Sequence, residues 1–152
     1  MRAVVSRVSS AAVTLRDGAA AGERRTIGPG LLILLGVGQG DAHAHAKKLV
    51  DKILALRLFP KDRGTFDQSV VDARGEILLI SQFTLYGSVK GGRRPEFTSA
   101  ARPEAADPLY REVTRLLCAS GLTVRMGEFG ASMAVESIND GPVTLCLDTD
   151  SF

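Results

Sequence analysis

The chain has no tryptophan, only two histidines and two cysteines, and aromatic residues make up 5% of its 152 positions. Each scarcity removes a class of chemistry. Cys118 and Cys146 are far apart and flanked by apolar residues, which reads as two buried free thiols of a cytosolic protein, with neither a disulfide framework nor a thiolate metal site. His43 and His45 stand two residues apart, so on a helix they point to different faces and cannot clamp one metal ion together. Solvated surface histidines are the expectation. Any hydroxyl nucleophile would depend on one of these two for its base, which disfavours a Ser-His-Asp triad. No apolar run approaches the roughly 20 residues needed to cross a bilayer. The start, Met1 to Val8, has no signal-peptide layout, because Arg7 interrupts any apolar core. The sequence therefore predicts a cytoplasmic protein with no membrane span, no metal and no cofactor. A formal net charge of +2 is too small to argue for DNA or RNA, so a case for nucleic acid rests on where the charges sit.

What is present describes one domain over residues 1–152, with 45% apolar and 24% charged residues and no repeat or linker. Ala3 to Val8 and Ala12 to Leu15 are short β-branched runs, followed by a hairpin-type turn at Asp17-Gly18. Leu31 to Leu35 is a continuous apolar run between Gly28-Pro29-Gly30 and Gly36, as in a strand covered on both faces. Asp41 can cap the helix that follows, whose core stripe is Ala46, Leu49, Val50, Ile53 and Leu54. Ile77 to Ile80 reads as a strand. Asp107-Pro108 reads as the start of a second helix that carries Leu109, Val113, Leu116 and Leu117 and closes at Gly121. Thr123 to Met126, Met133 to Ile138 and Val143 to Leu147 complete the strands, the last two read as a hairpin around Gly141-Pro142. The class predicted is α/β (α+β): a mixed, largely antiparallel sheet covered by two helices.

Four segments could carry chemistry. Gly36-Val37-Gly38-Gln39-Gly40 resembles a dinucleotide loop, but the fingerprint needs a third glycine at position 41, where Asp41 would oppose a pyrophosphate. A tight strand-to-helix turn is the better reading. Lys90, Arg93 and Arg94 share one glycine-rich loop, with Arg102 nearby; they form either a solvated loop or a hold on a phosphate backbone. Ser81-Gln82-Phe83-Thr84-Leu85 lies where a buried strand turns abruptly polar, a place where a rigid strand fixes main-chain amides at a cleft edge. Within Asn139 to Thr144, Pro142 cannot donate a ladder hydrogen bond, so it is either a turn residue or part of a working main-chain surface.

Taken together, these runs resemble the D-aminoacyl-tRNA deacylases. The resemblance extends from Met1-Arg2-Ala3-Val4-Val5 and Arg7-Val8 through Ile27-Gly28-Pro29-Gly30-Leu31, Gly36-Val37-Gly38 and Ser81 to Tyr86. It continues through Gly92-Arg93-Arg94-Pro95 and Gly127-Glu128-Phe129-Gly130-Ala131 to the Asn139–Thr144 run. Ser6 and Gly87-Ser88-Val89 depart from the family pattern. The resemblance implies a homodimer whose sheets curl towards a barrel and which hydrolyses the ester joining a D-amino acid to the 3′-terminal adenosine of tRNA. It further implies a cis Gly141-Pro142 bond whose carbonyls face the partner's site as a chiral selector, with Arg7, Met133 and Asn139 supporting. Ser81 and Gln82 would contact the aminoacyl group or the ribose, main-chain N–H groups around Phe83 would bind the oxyanion, and Thr84 would position. The substrate's 2′-hydroxyl would assist, and a glycyl ester would be tolerated because it has no side chain to exclude. A tRNA-end binding module without turnover, a nucleotide-binding domain using Gly36 to Gly40 and a ligand-free structural dimer are the rival readings.

Overall fold

Apolar and β-branched residues dominate the first fifteen positions, and they form one strand, β1 (Arg2–Leu15), where two short runs were expected. The computed structural model describes every residue except Arg63, and of Thr65 only the backbone. The elements after β1 are β2 (Arg24–Ile27), β3 (Gly30–Gly36), α1 (His43–Ala55), β4 (Arg57–Lys61), β5 (Gly64–Ser69) and β6 (Glu76–Ser81). A 3-10 turn (Phe83–Tyr86), α2 (Pro103–Cys118), β7 (Val124–Met126) and β8 (Met133–Asp148) follow.

Both β2 and β3 lie antiparallel to β1, with Ala11 opposite Ile27 and Val8 opposite Gly30, so the register runs on through the Gly28-Pro29 break. β8 pairs antiparallel with β1, while β6 is parallel to β3 and β7 is parallel to β6. The sheet is mixed and nearly closed into a barrel. Leu31, Ile33, Leu35, Ile77 and Leu79 face the helices, packed with Leu49, Ile53, Val113 and Leu117. The alternate residues Leu32, Leu78 and Ile80 face the inside of the curled sheet with Val13, Leu15 and Ile27. Ala3 and Val5 join the first cluster, whereas Ala11, Val13 and Leu15 join the second. β1 thus changes faces, and its ladder with β8 slips between Val8 and Ser10. One extra residue sends every later side chain to the other side.

Several expectations need correction. Met133–Asp148 is one strand, and its two halves pair with the same partner, so Gly141-Pro142 marks a bulge inside β8 and no hairpin forms there. α2 begins at Pro103, with Pro108 inside it, and Asp107 pairs with Arg111 at 2.9 Å instead of capping. Both Arg102-Pro103 and Asp107-Pro108 look like helix starts, and the earlier one nucleates the helix. Asp41 does not cap α1; its carboxylate accepts from the Met1 ammonium at 2.7 Å and from the Gly38 N–H at 2.6 Å. The β4–β5 hairpin was not foreseen. Cys118 and Cys146 are free and exposed. Cys118 falls one residue past the buried Leu117, off the core stripe of α2, and Cys146 lies on the outward face of β8. Among the described residues, no helix is long and apolar enough to cross a membrane.

Candidate active site

Parallel strands β3 and β6 end side by side, with Leu35 opposite Ser81, and the carboxyl ends of such strands are the usual place for a ligand crevice. The Gln82 N–H donates to the Leu35 carbonyl at 2.7 Å, extending the ladder one residue before the chain turns into Phe83–Tyr86. Within the turn, the Leu85 N–H bonds Gln82 at 3.2 Å and the Gly87 N–H bonds Thr84 at 2.9 Å. Among the described residues, no hydrogen bond engages the Phe83 and Thr84 N–H groups. They sit beside a cleft of about 610 Å³ that Ser81, Gln82, Phe83 and Met133 line.

Apolar side chains from α2, from the segment before it and from the loop after β7 form the rest of the wall, among them Phe97, Ala106, Tyr110 and Phe129. The lining contains no aspartate, glutamate, histidine, lysine or cysteine; its charged residue is Arg102. Tyr110 is 2% exposed and donates to the Leu79 carbonyl at 3.0 Å. Burial pushes its phenol well above the ordinary tyrosine range, so it stays neutral near pH 7. Phe83 is 58% exposed and meets Phe97 edge-on, with centroids 5.0 Å apart. The Gln82 side-chain amide donates to the Thr84 hydroxyl. Neither histidine lines the cleft: His43 lies 3.9 Å from Glu112 on the helix surface, and His45 Nδ1 accepts the Ala42 N–H at 3.0 Å. His45 therefore takes the capping role expected of Asp41.

The second cluster lies apart from the first. Between the pairs Ser6–Thr144 and Val8–Asn139, β8 spends five steps where β1 spends two. The surplus residues bulge out with a cis Gly141-Pro142 peptide, and Gly141 and Pro142 are exposed. Arg7, 5% exposed, grips the base of the bulge: its Nε lies 3.0 Å from the Asp140 carbonyl and 2.9 Å from the Asp140 carboxylate. One Nη donates to the Leu58 carbonyl at 2.5 Å, tying β4 to the same point. Asn139 Nδ2 donates to Thr144 across the bulge. A Cβ on Gly141 would stand 2.1 Å from Asn139 Oδ1 and 2.9 Å from the Val143 nitrogen, so the close approach requires glycine.

Within the chain, Ser81, Gln82, Phe83 and Met133 share the cleft, while Arg7, Asn139, Gly141 and Pro142 share the bulge and do not line it. Met133 is the first residue of β8, opposite Leu15 and well before the bulge. Lys90, Arg93 and Arg94 occupy an exposed loop beyond the 3-10 turn, and among the described residues no ion pair engages them. The Gly36-to-Gly40 turn is packed against the Ser81 segment. A Cβ on Gly36 would be 3.1 Å from the Gln82 carbonyl, and the Gly38 N–H is taken by Asp41, which leaves no phosphate cradle. Sequence reasoning missed Phe97 and Tyr110 as cleft residues. Tyr110 lies on the buried stripe of α2, where it reads as packing. Among the described residues, no group of three or more metal-ligating side chains is gathered.

Comparison with known proteins fits this geometry. The family described as D-Tyr-tRNA(Tyr) deacylase matches residues 4–148. A D-aminoacyl-tRNA deacylase of Roseiflexus castenholzii is 51% identical over 152 residues, covering 100% of this chain and 94% of that one. One of Symbiobacterium thermophilum is 49% identical over 150 residues, covering 99% and 97%. The solved structure of a c-Myc DNA unwinding element binding protein superposes with a TM-score of 0.87 at 39% identity, covering 97% of this chain and 98% of its own. A probable eukaryotic D-amino acid tRNA deacylase shares the fold, with a TM-score of 0.80 at 17% identity. The chain belongs to the D-Tyr-tRNA(Tyr) deacylase family, and by that membership it is a hydrolase.

Proposed function

We propose that this protein is a cytoplasmic homodimer that hydrolyses the ester of D-aminoacyl-tRNA, releasing free D-amino acid and tRNA, and spares the L-ester. One observation carries the chemistry: the cleft joins the unengaged main-chain donor of Phe83, with that of Thr84 next along the turn, to a lining without a side-chain base. Water attack on an ester builds negative charge on the carbonyl oxygen. A fixed N–H donor at that point lowers the barrier by about 3–4 kcal/mol. With no base on the wall, the ribose 2′-hydroxyl is the group left to orient or activate the water. Ser81 and Gln82, which line the cleft, are assigned to the ribose or the aminoacyl group, and Thr84, which accepts from Gln82, to positioning.

Chirality is assigned to Gly141 and Pro142 of the partner subunit. Carbonyls of a bulge without a Cβ can approach the substrate's α-carbon and crowd an L side chain, while a D side chain points away. Nothing in such a filter reads side-chain identity, so many D-amino acids, and glycine, pass. Two features support this division of labour. The bulge is exposed and outside its own subunit's cleft, and β8, the outer strand beside β1, carries the exposed Ile138 just before it. Lys90, Arg93 and Arg94 are assigned to the tRNA backbone, where unpaired cations give salt-dependent affinity.

The test is deacylation of matched D- and L-tyrosyl-tRNA by the purified protein with chelator present. Rapid loss of the D-ester alone is expected. Binding of tRNA with survival of both esters would replace the enzyme by a binding module, and cleavage of both would refute Gly141-Pro142 as a chiral gate. Duplex DNA is the third arm, because the c-Myc element binding protein is named for a DNA ligand; with a net charge of +2, weak binding of duplex is expected.

A further inference from the structure

The turn that carries the Phe83 and Thr84 amides has no buried residue of its own. Four residues of 3-10 structure do not hold their place unaided. What fixes this turn is at its far end, outside the cleft. The guanidinium of Arg2 stacks over the Tyr86 ring, 4.5 Å from its centroid, and donates to the Leu85 carbonyl at 3.3 Å. Arg2 is itself anchored on Asp148 at 2.9 Å. The ring also rests on Gly38, where a Cβ would stand 2.6 Å from Cε1, Cζ and the hydroxyl oxygen. The Tyr86 hydroxyl lies 3.5 Å from Asp41, whose side chain is 8% exposed and is held by the Met1 ammonium and the Gly38 N–H. Burial, then Asp41, raises the phenol above the usual tyrosine range, so it remains a neutral donor beside that carboxylate.

We propose that Tyr86, clamped between Arg2, Gly38 and Asp41, is a positioning residue that aims the Phe83 and Thr84 N–H groups into the cleft, an inference that rests on the donor role given to those amides above. A rigid turn pivots as one piece, so a displacement at Tyr86 is carried to Phe83 three residues earlier. A shift near 1 Å at a reacting centre can cost about 100-fold in rate. The Gly38-to-Asp41 turn thereby acquires a use that the nucleotide reading could not give it.

Gly38→Ala tests this without changing any residue of the turn or of the cleft lining. The new methyl must push the Tyr86 ring outward, and the backbone at 38 is not in the left-handed region. With D-tyrosyl-tRNA, kcat is expected to fall about 10- to 100-fold while KM stays within about twofold, the signature of an interaction made in the transition state. The amide resonances of Phe83 and Thr84 should move. In a Tyr86→Ala background there is no ring to displace, so adding Gly38→Ala should change neither kcat nor those resonances further. Rates are taken below each variant's unfolding midpoint. Equal effects of Gly38→Ala in both backgrounds, or unmoved amide resonances, would overturn the clamp. Resonances that move and stop moving without the ring, with kcat unchanged, would leave the clamp standing and refute the donor role of the amides.

Discussion

Gly141→Ala is the substitution for which the structure gives the sharpest number. The new methyl would lie 2.1 Å from Asn139 Oδ1, which can swing aside, and 2.9 Å from the Val143 nitrogen, which cannot without moving the strand. Overpacking of this kind costs about 1–3 kcal/mol, and the Arg7 anchor on Asp140 keeps the displacement local to the bulge. A carbonyl moved by an ångström loses its aim, so kcat/KM for D-tyrosyl-tRNA is expected to fall about 100-fold while the protein stays folded. The assay is single-turnover hydrolysis of D- and L-tyrosyl-tRNA, with a urea titration beside it. The variant also locates the bulge's target. Ala131 lines the cleft, so Ala131→Trp blocks it; if Gly141 acts in the partner's cleft, mixing the two variants one to one restores one good site in each mixed dimer. Random mixing makes half the dimers mixed, so about a quarter of the wild-type activity should return. No return on mixing would mean that cleft and bulge serve the same subunit. Unchanged rate and unchanged discrimination in Gly141→Ala itself would refute the selector.

Three further outcomes follow from the same geometry. Thr84→Ala removes a hydroxyl that Gln82 already holds, so kcat should stay within about tenfold and no acyl-enzyme should appear by mass spectrometry; complete loss with a trapped ester would make Thr84 the nucleophile. Replacing Lys90, Arg93 and Arg94 together by alanine should leave kcat unchanged and flatten the dependence of log KM on log salt by about 2 to 3, roughly 0.7–0.9 for each phosphate no longer neutralised. The Tyr110 phenol titrates above its unfolded value of about 10, so its contribution to stability is complete below that pH and is lost as pH rises through the folded value. The urea midpoint of the wild type should drop between pH 9 and 11, and that of Tyr110→Phe should drop less.

The elements that were legible in the sequence are those whose burial is periodic. The stripe Ala46, Leu49, Val50 and Ile53 is buried in α1 as its spacing requires, and the run at Leu31 to Leu35 is covered on both faces of β3. What misled was chemistry that serves two geometries equally well. Asn-Asp-Gly-Pro is a turn sequence, and nothing local distinguishes a turn that reverses the chain from a bulge that returns it to the same partner. The deciding fact is non-local: β1 is 14 residues long and can pair with both halves of β8. Two X-Pro steps compete for the start of α2 in the same way. The β4–β5 hairpin pairs with two register shifts and has no clean alternation to announce it. For the proposed site, the Ser81 run and the Gly141 run both stand out in the sequence, but only the fold shows that they lie apart within the chain.

A site built from main-chain groups also explains which residues betray it. Side-chain deletion cannot remove the Phe83 N–H or the Gly141 carbonyl; it can only move them. Vulnerability therefore passes to residues that hold the backbone: Gly36 and Gly38 against the Ser81 segment, Arg7 and Asn139 around the bulge, and Tyr86 at the end of the turn. A search by catalytic residue type looks for acids, bases and nucleophiles, and the cleft wall offers almost none. Alanine at the polar positions Ser81, Gln82 and Thr84 should have mild effects on kcat, while adding one methyl at a glycine behind them should be severe. That inversion, with small insertions hurting more than deletions, is the mutational pattern that separates a main-chain site from a side-chain one.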